Sequence, residues 1–333
     1  MRVRKFHDIE INNSSFLITG GAGFIGSHIV DYLLNYGARK VRVLDNLATG
    51  FQYNIDPFLN HAAYEFVEGD ISDLNICKKV CVGIDYVNHQ AALGSVPRSI
   101  ENPIATHNSN ANGFLNMIIA ARDAGAKKFV FASSSSVYGD APQLPKKEEN
   151  TGNPLSPYAV TKVIDELYGR VFYHTYGIKT IGLRYFNVFG PRQNPSGPYA
   201  AVIPLMFQST KEKKSPIIHG DGEQTRDFTF VENAVQANIK AMFCEDEKSF
   251  GEIFNVAVGE RVSVNELFKL IAEITEFKDK AIHDDPRSGD VKHSLADISK
   301  AEKILDYKPQ IKIKEGLEKT FEWFKTISPT HAP

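Results

Sequence analysis

The fold of this chain is decided by the stretch Phe16-Leu17-Ile18-Thr19-Gly20-Gly21-Ala22-Gly23-Phe24-Ile25-Gly26-Ser27-His28. The stretch begins with the apolar residues of a strand, passes through Gly20, Gly23 and Gly26, and continues into an amphipathic helical pattern. Each glycine meets a separate need for a missing Cβ: a sharp turn, a close approach of the backbone to a pyrophosphate, and contact between helix and sheet. The unpaired N–H groups of the helix that starts near Phe24 suit the same pyrophosphate. The stretch therefore predicts a dinucleotide-binding turn.

An acidic residue supports this prediction. Asp45 ends the next apolar run, Val41-Arg42-Val43-Leu44, and lies nineteen positions after Gly26. That is about the distance at which a carboxylate binds the adenine-ribose hydroxyls of a dinucleotide. Its charge would repel a 2′-phosphate, and Asn46 follows where an arginine would favour one, so we expect NAD rather than NADP. A glycine triplet without this context is equally consistent with an ordinary strand-to-helix turn.

The composition argues against several classes of protein. The 38 Lys and Arg residues nearly balance the 40 Asp and Glu residues, so no surface of one charge predicts a nucleic-acid or membrane partner. Cys77, Cys81 and Cys244 are too few and wrongly spaced for a disulfide framework or a zinc site, and no metal site is predicted. Residues 1–15 lack a signal-peptide pattern, and no apolar run reaches about 18 residues. We therefore expect a cytoplasmic protein with a small-molecule partner.

Strand and helix patterns alternate along the first half of the chain. Apolar strand patterns occur at Phe16-Thr19, Val41-Asp45, Tyr64-Glu68, Tyr86-His89, Phe129-Ser133 and Thr180-Arg184, and helical patterns at about 24–36, 73–80, 98–124 and 156–176. This alternation predicts an α/β fold, a Rossmann-type doubly wound parallel sheet with helices on both faces. Prolines and glycines interrupt the pattern after Asn187, so we expect a smaller mixed α/β lobe there. Residues 1–186 are predicted to form the NAD-binding domain with the catalytic helix, and residues 187–333 mainly the substrate-binding lobe.

A tyrosine and a lysine with catalytic chemistry follow the fifth strand. That strand ends in the serine run 133–136, after which Ser156 and Pro157 suit the start of a helix. On that helix Tyr158 and Lys162 are four residues apart and share one face. A phenol ordinarily loses its proton near pH 10, which leaves a phenolate base at pH 7 about 4 kcal/mol short. An ammonium about 4 Å away in a partly dry site offers an interaction of that order, so Tyr158 is predicted to take a hydroxyl proton while hydride leaves the same carbon.

The spacing of this pair is not distinctive by itself. Tyr36 and Lys40 are also four residues apart, but they lie between the first helix and the second strand, where we expect a surface pair. What distinguishes Tyr158 and Lys162 is their position directly after the serine run at the mouth of the sheet. A solvated turn is the alternative interpretation of the serine run alone.

Together these motifs resemble one enzyme family. The chain resembles the extended short-chain dehydrogenase/reductase family over nearly its whole length, on the glycine turn, Asp45, Asp70-Ile71, Gln90-Ala91-Ala92, Ser134, Tyr158 and Lys162. Within that family it is similar to the nucleotide-sugar 4-epimerases. The resemblance implies a cofactor site made of Gly20, Gly23, Phe24, Ile25, Gly26, Asp45, Asn46, Gly50, Asp70, Ile71, Gln90, Ala91, Ala92, Ser109, Tyr158, Lys162, Tyr185 and Val188. It also implies that Lys162 reaches the nicotinamide ribose and that Tyr185 lies behind the nicotinamide.

The resemblance also implies the type of reaction. Ser134 matches the catalytic serine of the family when the run is aligned on Val137-Tyr138-Gly139. Related dehydratases carry an Asp-Glu pair where this chain has Ser135 and Ser136, and elimination of water needs that acid and base. The remaining reaction is oxidation of the sugar followed by return of the hydride. This is the chemistry of an epimerase with a bound cofactor.

A substrate site is implied by the same resemblance. Its predicted members are Ser95, Ser134, Ser135, Tyr158, Asn187, Ala201, Val202, Arg226, Arg287, Asp290 and Ser294. Arg226 and Arg287 suit a diphosphate, because a guanidinium pairs well with phosphate oxygens. Hexose-specific relatives carry a bulky aromatic residue at the position of Ser294, so the small serine predicts room for an N-acetyl group. UDP-N-acetylglucosamine and UDP-N-acetylgalactosamine are therefore the expected substrates.

Several alternatives stay open on the sequence. A UDP-glucose or UDP-glucuronate 4-epimerase would use the same triad with another sugar pocket. A non-catalytic NAD-sensing protein would keep the fold without turnover, although such proteins commonly lose the tyrosine or the lysine. By analogy with the family, the helices at about 98–124 and 156–176 are predicted to pair with those of a second copy in a homodimer.

Overall fold

The computed structural model describes residues 4–195, 200–285 and 292–326. Its strands are β1 (Ser15–Thr19), β2 (Lys40–Asp45), β3 (Tyr64–Glu68), β4 (Tyr86–His89), β5 (Lys128–Ser134), β6 (Thr180–Tyr185), β7 (Val188–Phe189), β8 (Ile217–His219), β9 (Thr225–Arg226), β10 (Thr229–Phe230), β11 (Glu252–Val256), β12 (Val262–Ser263) and β13 (Ile282–Asp284). Seven of these strands form one parallel sheet in the order β11-β6-β5-β4-β1-β2-β3. The order changes direction at β1, next to the glycine turn, and such a switch point is where open parallel sheets bind ligands.

The helices alternate with these strands. They are α1 (Phe24–Asn35), α2 (Gln52–Ile55), α3 (Leu74–Cys81), α4 (Val96–Glu101), α5 (Pro103–His107), α6 (Gly113–Asp123), α7 (Pro157–Tyr176), α8 (Val202–Lys211), α9 (Val231–Phe243), α10 (Val264–Thr275), α11 (Ser299–Leu305) and α12 (Ile313–Thr326). No helix in the described ranges combines the length and apolar character that a membrane span requires.

The predicted doubly wound α/β fold is confirmed. One buried apolar core lies between the sheet and α1, α9 and α11, and a second core lies between the opposite face of the sheet and α3, α6 and α7. A third core joins α8, α10 and α12 in a smaller lobe formed by the later part of the chain. Burial on both faces explains why the strands read as nearly continuous apolar runs.

The sheet has one strand more than the sequence patterns predicted. Strand β11 pairs with β6 in parallel, from Glu252 opposite Ile181 to Val256 opposite Tyr185. Helix α9 also packs on the sheet, although both elements belong to the segment 187–333. The later part of the chain therefore completes the sheet as well as building the smaller lobe, and the division into domains at residue 186 stays a prediction.

The single helix predicted over 98–124 is wrong. The structure divides this region into α4, α5, a π-helical turn at Asn108–Asn112, and α6. Asn102 has φ −136° and ψ 78° because the ring of Pro103 excludes the helical conformation at the residue before it. The Asn102 side chain then accepts a hydrogen bond from the Ala105 N–H at 3.0 Å and caps the new helix.

Candidate active site

A cavity of about 570 Å³ opens at the carboxyl ends of the central strands. Most of the predicted cofactor residues line it: Gly20, Gly23, Phe24, Ile25, Gly26, Asp45, Asn46, Gly50, Ile71, Gln90, Ala91, Ala92, Ser109, Tyr158, Lys162 and Tyr185. The structure thus brings together segments that are up to about 165 positions apart in the sequence. Asp70 lies at the edge, where it accepts a hydrogen bond from Asn46 Nδ2 at 2.7 Å, and Val188 lines a neighbouring cavity instead.

The glycine turn has the geometry that a dinucleotide requires. Gly20 has φ 68°, and a Cβ there would lie 2.7 Å from the Ala91 nitrogen. A Cβ on Gly26 would lie 2.2 Å from the Gly20 carbonyl oxygen. Helix α1 starts after Gly23, and no side chain caps its first N–H groups. These N–H groups are therefore available to phosphate oxygens, and the residues present fit NAD.

Asp45 is held by the turn that it faces. Its Oδ2 accepts a hydrogen bond from the Ala22 N–H at 2.9 Å, and its Oδ1 accepts one from the Leu47 N–H at 2.8 Å. Burial raises the pKa of Asp45, although these two N–H groups act in the opposite direction. Each carboxylate oxygen keeps a further lone pair, so Asp45 retains the capacity to accept from ribose hydroxyls.

Helix α7 carries Tyr158 and Lys162 into the same cavity. The Ser156 hydroxyl accepts a hydrogen bond from the Ala159 N–H at 3.1 Å, and Pro157 occupies the first turn, as the sequence predicted. Lys162 is 2 % exposed and donates to the Ala132 carbonyl oxygen at 3.0 Å. Helix α7 and strand β5 together therefore fix the position of the ammonium group.

A buried carboxylate next to Lys162 was missed by the sequence reasoning. Asp165, three residues further along α7, forms an ion pair of 3.0 Å with Lys162 and is completely buried. Burial lowers the pKa of Lys162, but Asp165 and then Tyr158 outweigh this effect, so the pKa is raised and the ammonium stays charged. Burial raises the pKa of Asp165 to about 7 against the pull of Lys162. Only helical spacing could have indicated this pair, and that signal is common on surface helices.

Two hydroxyl groups of the serine run form hydrogen bonds to different partners. Ser133 lines the cavity, and its hydroxyl donates to Glu166 Oε1 at 2.5 Å. The Ser134 hydroxyl accepts a hydrogen bond from the Ser136 N–H at 3.1 Å. Ser134 and Ser135 line neither this cavity nor the neighbouring one that Val188 lines, so the catalytic role of Ser134 stays a prediction.

A second cavity of about 470 Å³ lies against the smaller lobe. The predicted substrate residues Asn187, Ala201, Val202 and Arg226 line it. Ala201 and Gln193 line both cavities, so the two spaces meet at these residues. Gln193 was missed because a polar residue in a proline-rich loop carries no distinctive sequence signal.

Two side chains that line the second cavity form hydrogen bonds within the protein. Arg226 donates to the carbonyl oxygen of Thr225 at 3.0 Å, and Asn187 Nδ2 donates to the Asp227 carbonyl oxygen at 3.0 Å. The Ser294 N–H donates to the Thr225 carbonyl oxygen at 3.0 Å, which places Ser294 beside the strand of Arg226.

Of the three remaining predicted substrate residues, only Ser95 lies in the described part of the chain. Ser95 lines the first cavity with φ 101°, a strained conformation for a residue with a Cβ, and strain of this kind is concentrated at functional sites. Arg287 and Asp290 lie outside the described residues. Within the described ranges, no group of three or more His, Cys, Asp or Glu side chains is placed to hold a metal ion.

Comparison with known proteins agrees with this geometry. A family model described as GDP-mannose 4,6 dehydratase matches residues 17–320. The chain belongs to the extended short-chain dehydrogenase/reductase family. As a member of this family it is an enzyme that uses NAD.

Solved structures narrow the position within the short-chain dehydrogenase/reductase family. A UDP-N-acetylglucosamine 4-epimerase from Methanobrevibacter ruminantium, in complex with UDP-N-acetylmuramic acid, is 40% identical, with a TM-score of 0.90 over 95% of this chain and 99% of that one. A UDP-glucose 4-epimerase from Thermotoga maritima with UDP-glucose is 37% identical, with a TM-score of 0.88 over 93% and 98%. A UDP-glucuronic acid 4-epimerase from Bacillus cereus, in complex with UDP-glucuronic acid and NAD, is 30% identical, with a TM-score of 0.85 over 93% and 99%. The chain is thus placed among the NAD-dependent UDP-sugar 4-epimerases, whose members act on different sugars.

Proposed function

We propose that this protein interconverts UDP-N-acetylglucosamine and UDP-N-acetylgalactosamine by epimerisation at C4 of the hexose. The observation that carries the proposal is the meeting of two cavities, one with the glycine turn, Tyr158 and Lys162, and one with Arg226. A nucleotide diphosphate held by the second cavity would extend its hexose past Gln193 toward Tyr158. Bound NAD supplies an acceptor, and then a donor, for the hydride of C4.

The residues of the chain supply the proton chemistry. Tyr158, as the phenolate, takes the proton of the O4 hydroxyl while the C4–H bond breaks, and the C4–O4 bond becomes a carbonyl. The Lys162 ammonium stabilises the phenolate, and Ser134 is proposed to donate a hydrogen bond to the developing carbonyl oxygen. After the 4-keto sugar turns over in the cavity, Tyr158 returns its proton to O4 as hydride adds to the opposite face of C4.

Dehydration is not favoured at this site, although the matching family model is named for a dehydratase. Loss of water from the hexose needs an acid and a base at neighbouring carbons. At the two positions after Ser134 this chain has Ser135 and Ser136, whose hydroxyl groups are poor bases at neutral pH.

The direct test is to incubate the purified protein with UDP-N-acetylglucosamine, without added cofactor, and to separate the sugar nucleotides formed. We expect UDP-N-acetylgalactosamine to accumulate, because an enzyme that regenerates its cofactor keeps it bound. The same assay with UDP-glucose and UDP-glucuronate tests the two alternative substrates. Turnover of either one at a higher kcat/KM would replace the proposed sugar.

The choice of sugar is predicted to depend on Ser294. The Ser294→Tyr variant introduces a bulky ring beside the strand of Arg226, and this ring would occupy the space proposed for the N-acetyl group. We expect kcat/KM for UDP-N-acetylglucosamine to fall about 10- to 100-fold relative to that for UDP-glucose. The Ser294→Ala variant is the matched control and should keep the wild-type ratio. An unchanged ratio in Ser294→Tyr would place the acyl group elsewhere.

The protein is also proposed to form a homodimer through α4, α5 and α7. Ile104 of α5 is 74% exposed and Leu167 of α7 is 58% exposed. Val160 and Val171 lie seven residues before and four residues after Leu167, so these three side chains share one face of α7. An exposed apolar face of this kind is typical of a contact surface between subunits.

Light scattering tests the dimer. We expect the wild-type protein to have the mass of two chains and Leu167→Glu to have the mass of one, because a carboxylate would be buried at the interface. Leu59→Glu changes a residue of similar exposure, 49%, next to Phe58, which packs in the core on the face of the sheet opposite α7, and should leave the dimer intact. A wild-type mass equal to one chain would remove the proposal.

The cytoplasmic location stays a prediction from composition.

A further inference from the structure

Four polar side chains form a closed ring of hydrogen bonds beside the cofactor cavity. Gln90 Nε2 donates to Asn88 Oδ1 at 2.7 Å, and Asn88 Nδ2 donates to Asn238 Oδ1 at 2.9 Å. Asn238 Nδ2 donates to the Tyr185 hydroxyl oxygen at 2.7 Å, and the Tyr185 hydroxyl donates to Gln90 Oε1 at 3.1 Å. Asn238 Oδ1 also lies 3.2 Å from Gln90 Nε2 and 3.1 Å from the Tyr185 hydroxyl, so Asn238 contacts every other member of the ring.

The direction of this ring is set by the backbone of α9. Asn238 Nδ2 also donates to the Ala234 carbonyl oxygen at 2.8 Å, and a carbonyl can only accept. The Oδ1 atom of Asn238 must then face Asn88, which has to present its own amide N–H. The Asn88 oxygen in turn faces the Gln90 amide N–H, and this leaves Gln90 Oε1 toward the Tyr185 hydroxyl. One helix carbonyl thus selects the orientation of the three amide groups, and the Tyr185 hydroxyl donates its proton to Gln90 Oε1 or to Asn238 Oδ1, both at 3.1 Å.

Two members of the ring lie in the cavity, and two lie behind it. Gln90 and Tyr185 line the cofactor cavity, whereas Asn88 and Asn238 are completely buried. Tyr185 pairs with Ser134 in the register of β5 and β6, so this is the end of the cavity where the catalytic residues lie. Burial raises the pKa of Tyr185, which keeps its hydroxyl protonated as the donor that the ring requires.

We propose that Asn238 is a positioning residue, which holds Gln90 and Tyr185 in the orientation in which they face bound NAD. Asn238 is buried and lines neither cavity, so it would act through these two residues and not by contact with a ligand. Without its amide, Tyr185 and Asn88 each lose a buried partner, and Gln90 is free to take other rotamers. The proposal rests on the proposed role of this cavity as the active site.

The test compares Asn238→Ala with Asn233→Ala, a matched variant on the same helix. Asn233 is 2 % exposed. Its Nδ2 donates to the Ile311 carbonyl oxygen at 2.7 Å, and its Oδ1 accepts a hydrogen bond from the Gln310 N–H at 2.9 Å. Both variants lose a buried amide, so both should unfold at a lower temperature. Only Asn238→Ala should lose affinity for NAD, by about 10- to 100-fold, the same range as the loss found when a group that orients a metal-binding side chain is removed.

The affinity is measured by titrating NAD into protein stripped of cofactor, and the retained NAD is measured in protein as purified. Equal NAD affinity in Asn238→Ala and Asn233→Ala would overturn the proposal. KM for the sugar nucleotide should change little in Asn238→Ala at saturating NAD, since none of the four ring residues lines the second cavity.

A second variant removes the dependence on one substitution. Tyr185→Phe deletes the hydroxyl that Asn238 binds and should lower NAD affinity by itself. The two residues are expected to act through one contact. The NAD affinity of the double variant should therefore lie within about twofold of that of the more weakly binding single variant. Losses that multiply in the double variant would mean that Asn238 acts independently of Tyr185. The ring variants can keep full NAD affinity while Tyr158→Phe still lowers kcat. The role of Asn238 and the proposed epimerase function can therefore be tested separately.

Discussion

We expect Tyr158→Phe to lower kcat about 10²- to 10⁴-fold while the protein keeps its bound NAD. Phenylalanine preserves the ring and its packing but has no oxygen to take the O4 proton. The cost falls on the chemical step, so KM for the sugar nucleotide should change far less than kcat. The measurement is steady-state turnover of UDP-N-acetylglucosamine, together with the NAD content of the purified variant.

Tyr36→Phe is the matched control for this prediction. Tyr36 precedes Lys40 by the same spacing, but it packs on Tyr32 and His7 at the opposite end of the sheet from the cavity. Its replacement should leave kcat unchanged. If Tyr158→Phe turned over as fast as the wild type, the chain would fit a different proton acceptor. If the wild type itself bound NAD but did not turn over UDP-N-acetylglucosamine, the proposed sugar would be wrong.

The second large effect is expected from Gly26→Ala. The added Cβ would lie 2.2 Å from the Gly20 carbonyl oxygen and 3.0 Å from the Gly21 Cα. These are backbone atoms of the turn, so relief requires α1 to move away from the phosphate-binding position. We expect the free energy of unfolding to fall by about 1–3 kcal/mol and bound NAD to be lost.

Gly125→Ala separates this clash from the general cost of replacing a glycine. Gly125 has φ 74°, so alanine is strained there, but its Cβ would meet no atom within 4 Å. This variant should be less stable than the wild type and still contain NAD. Thermal unfolding and cofactor content of both variants decide the matter. Full NAD content in Gly26→Ala would contradict the assignment of the glycine turn to the cofactor.

Much of the fold was accessible from the sequence because buried parallel strands leave strong local patterns. The first six strands of the sheet and the start of α7 at Pro157 follow the predictions within a residue or two. Strand β11 was missed since its five residues lie among short, mixed elements, and only pairing with β6 makes it part of the sheet. The break at Pro103 was overlooked although the residue before a proline disfavours a helix.

The candidate site was predictable where one residue type serves one purpose. Glycines, Asp45 and the tyrosine-lysine pair have spacings tied to their chemistry, and the fold brings them into one cavity. Asp165 lies within one turn of Lys162, a spacing that is common on surface helices. Gln193 and Asn238 have ordinary local sequences, and their relation to the site exists only after distant segments pack together. Partners of that kind depend on tertiary contacts and carry no local signal.

The central claim is that the C4 hydrogen leaves the sugar as hydride and returns to the same carbon. The most direct measurement follows UDP-N-acetylglucosamine that carries deuterium at C4 through turnover in ordinary water. We expect the epimer that forms to keep its deuterium at C4. Replacement of that deuterium by hydrogen from water would contradict the account, because the inversion would then proceed by proton exchange at carbon.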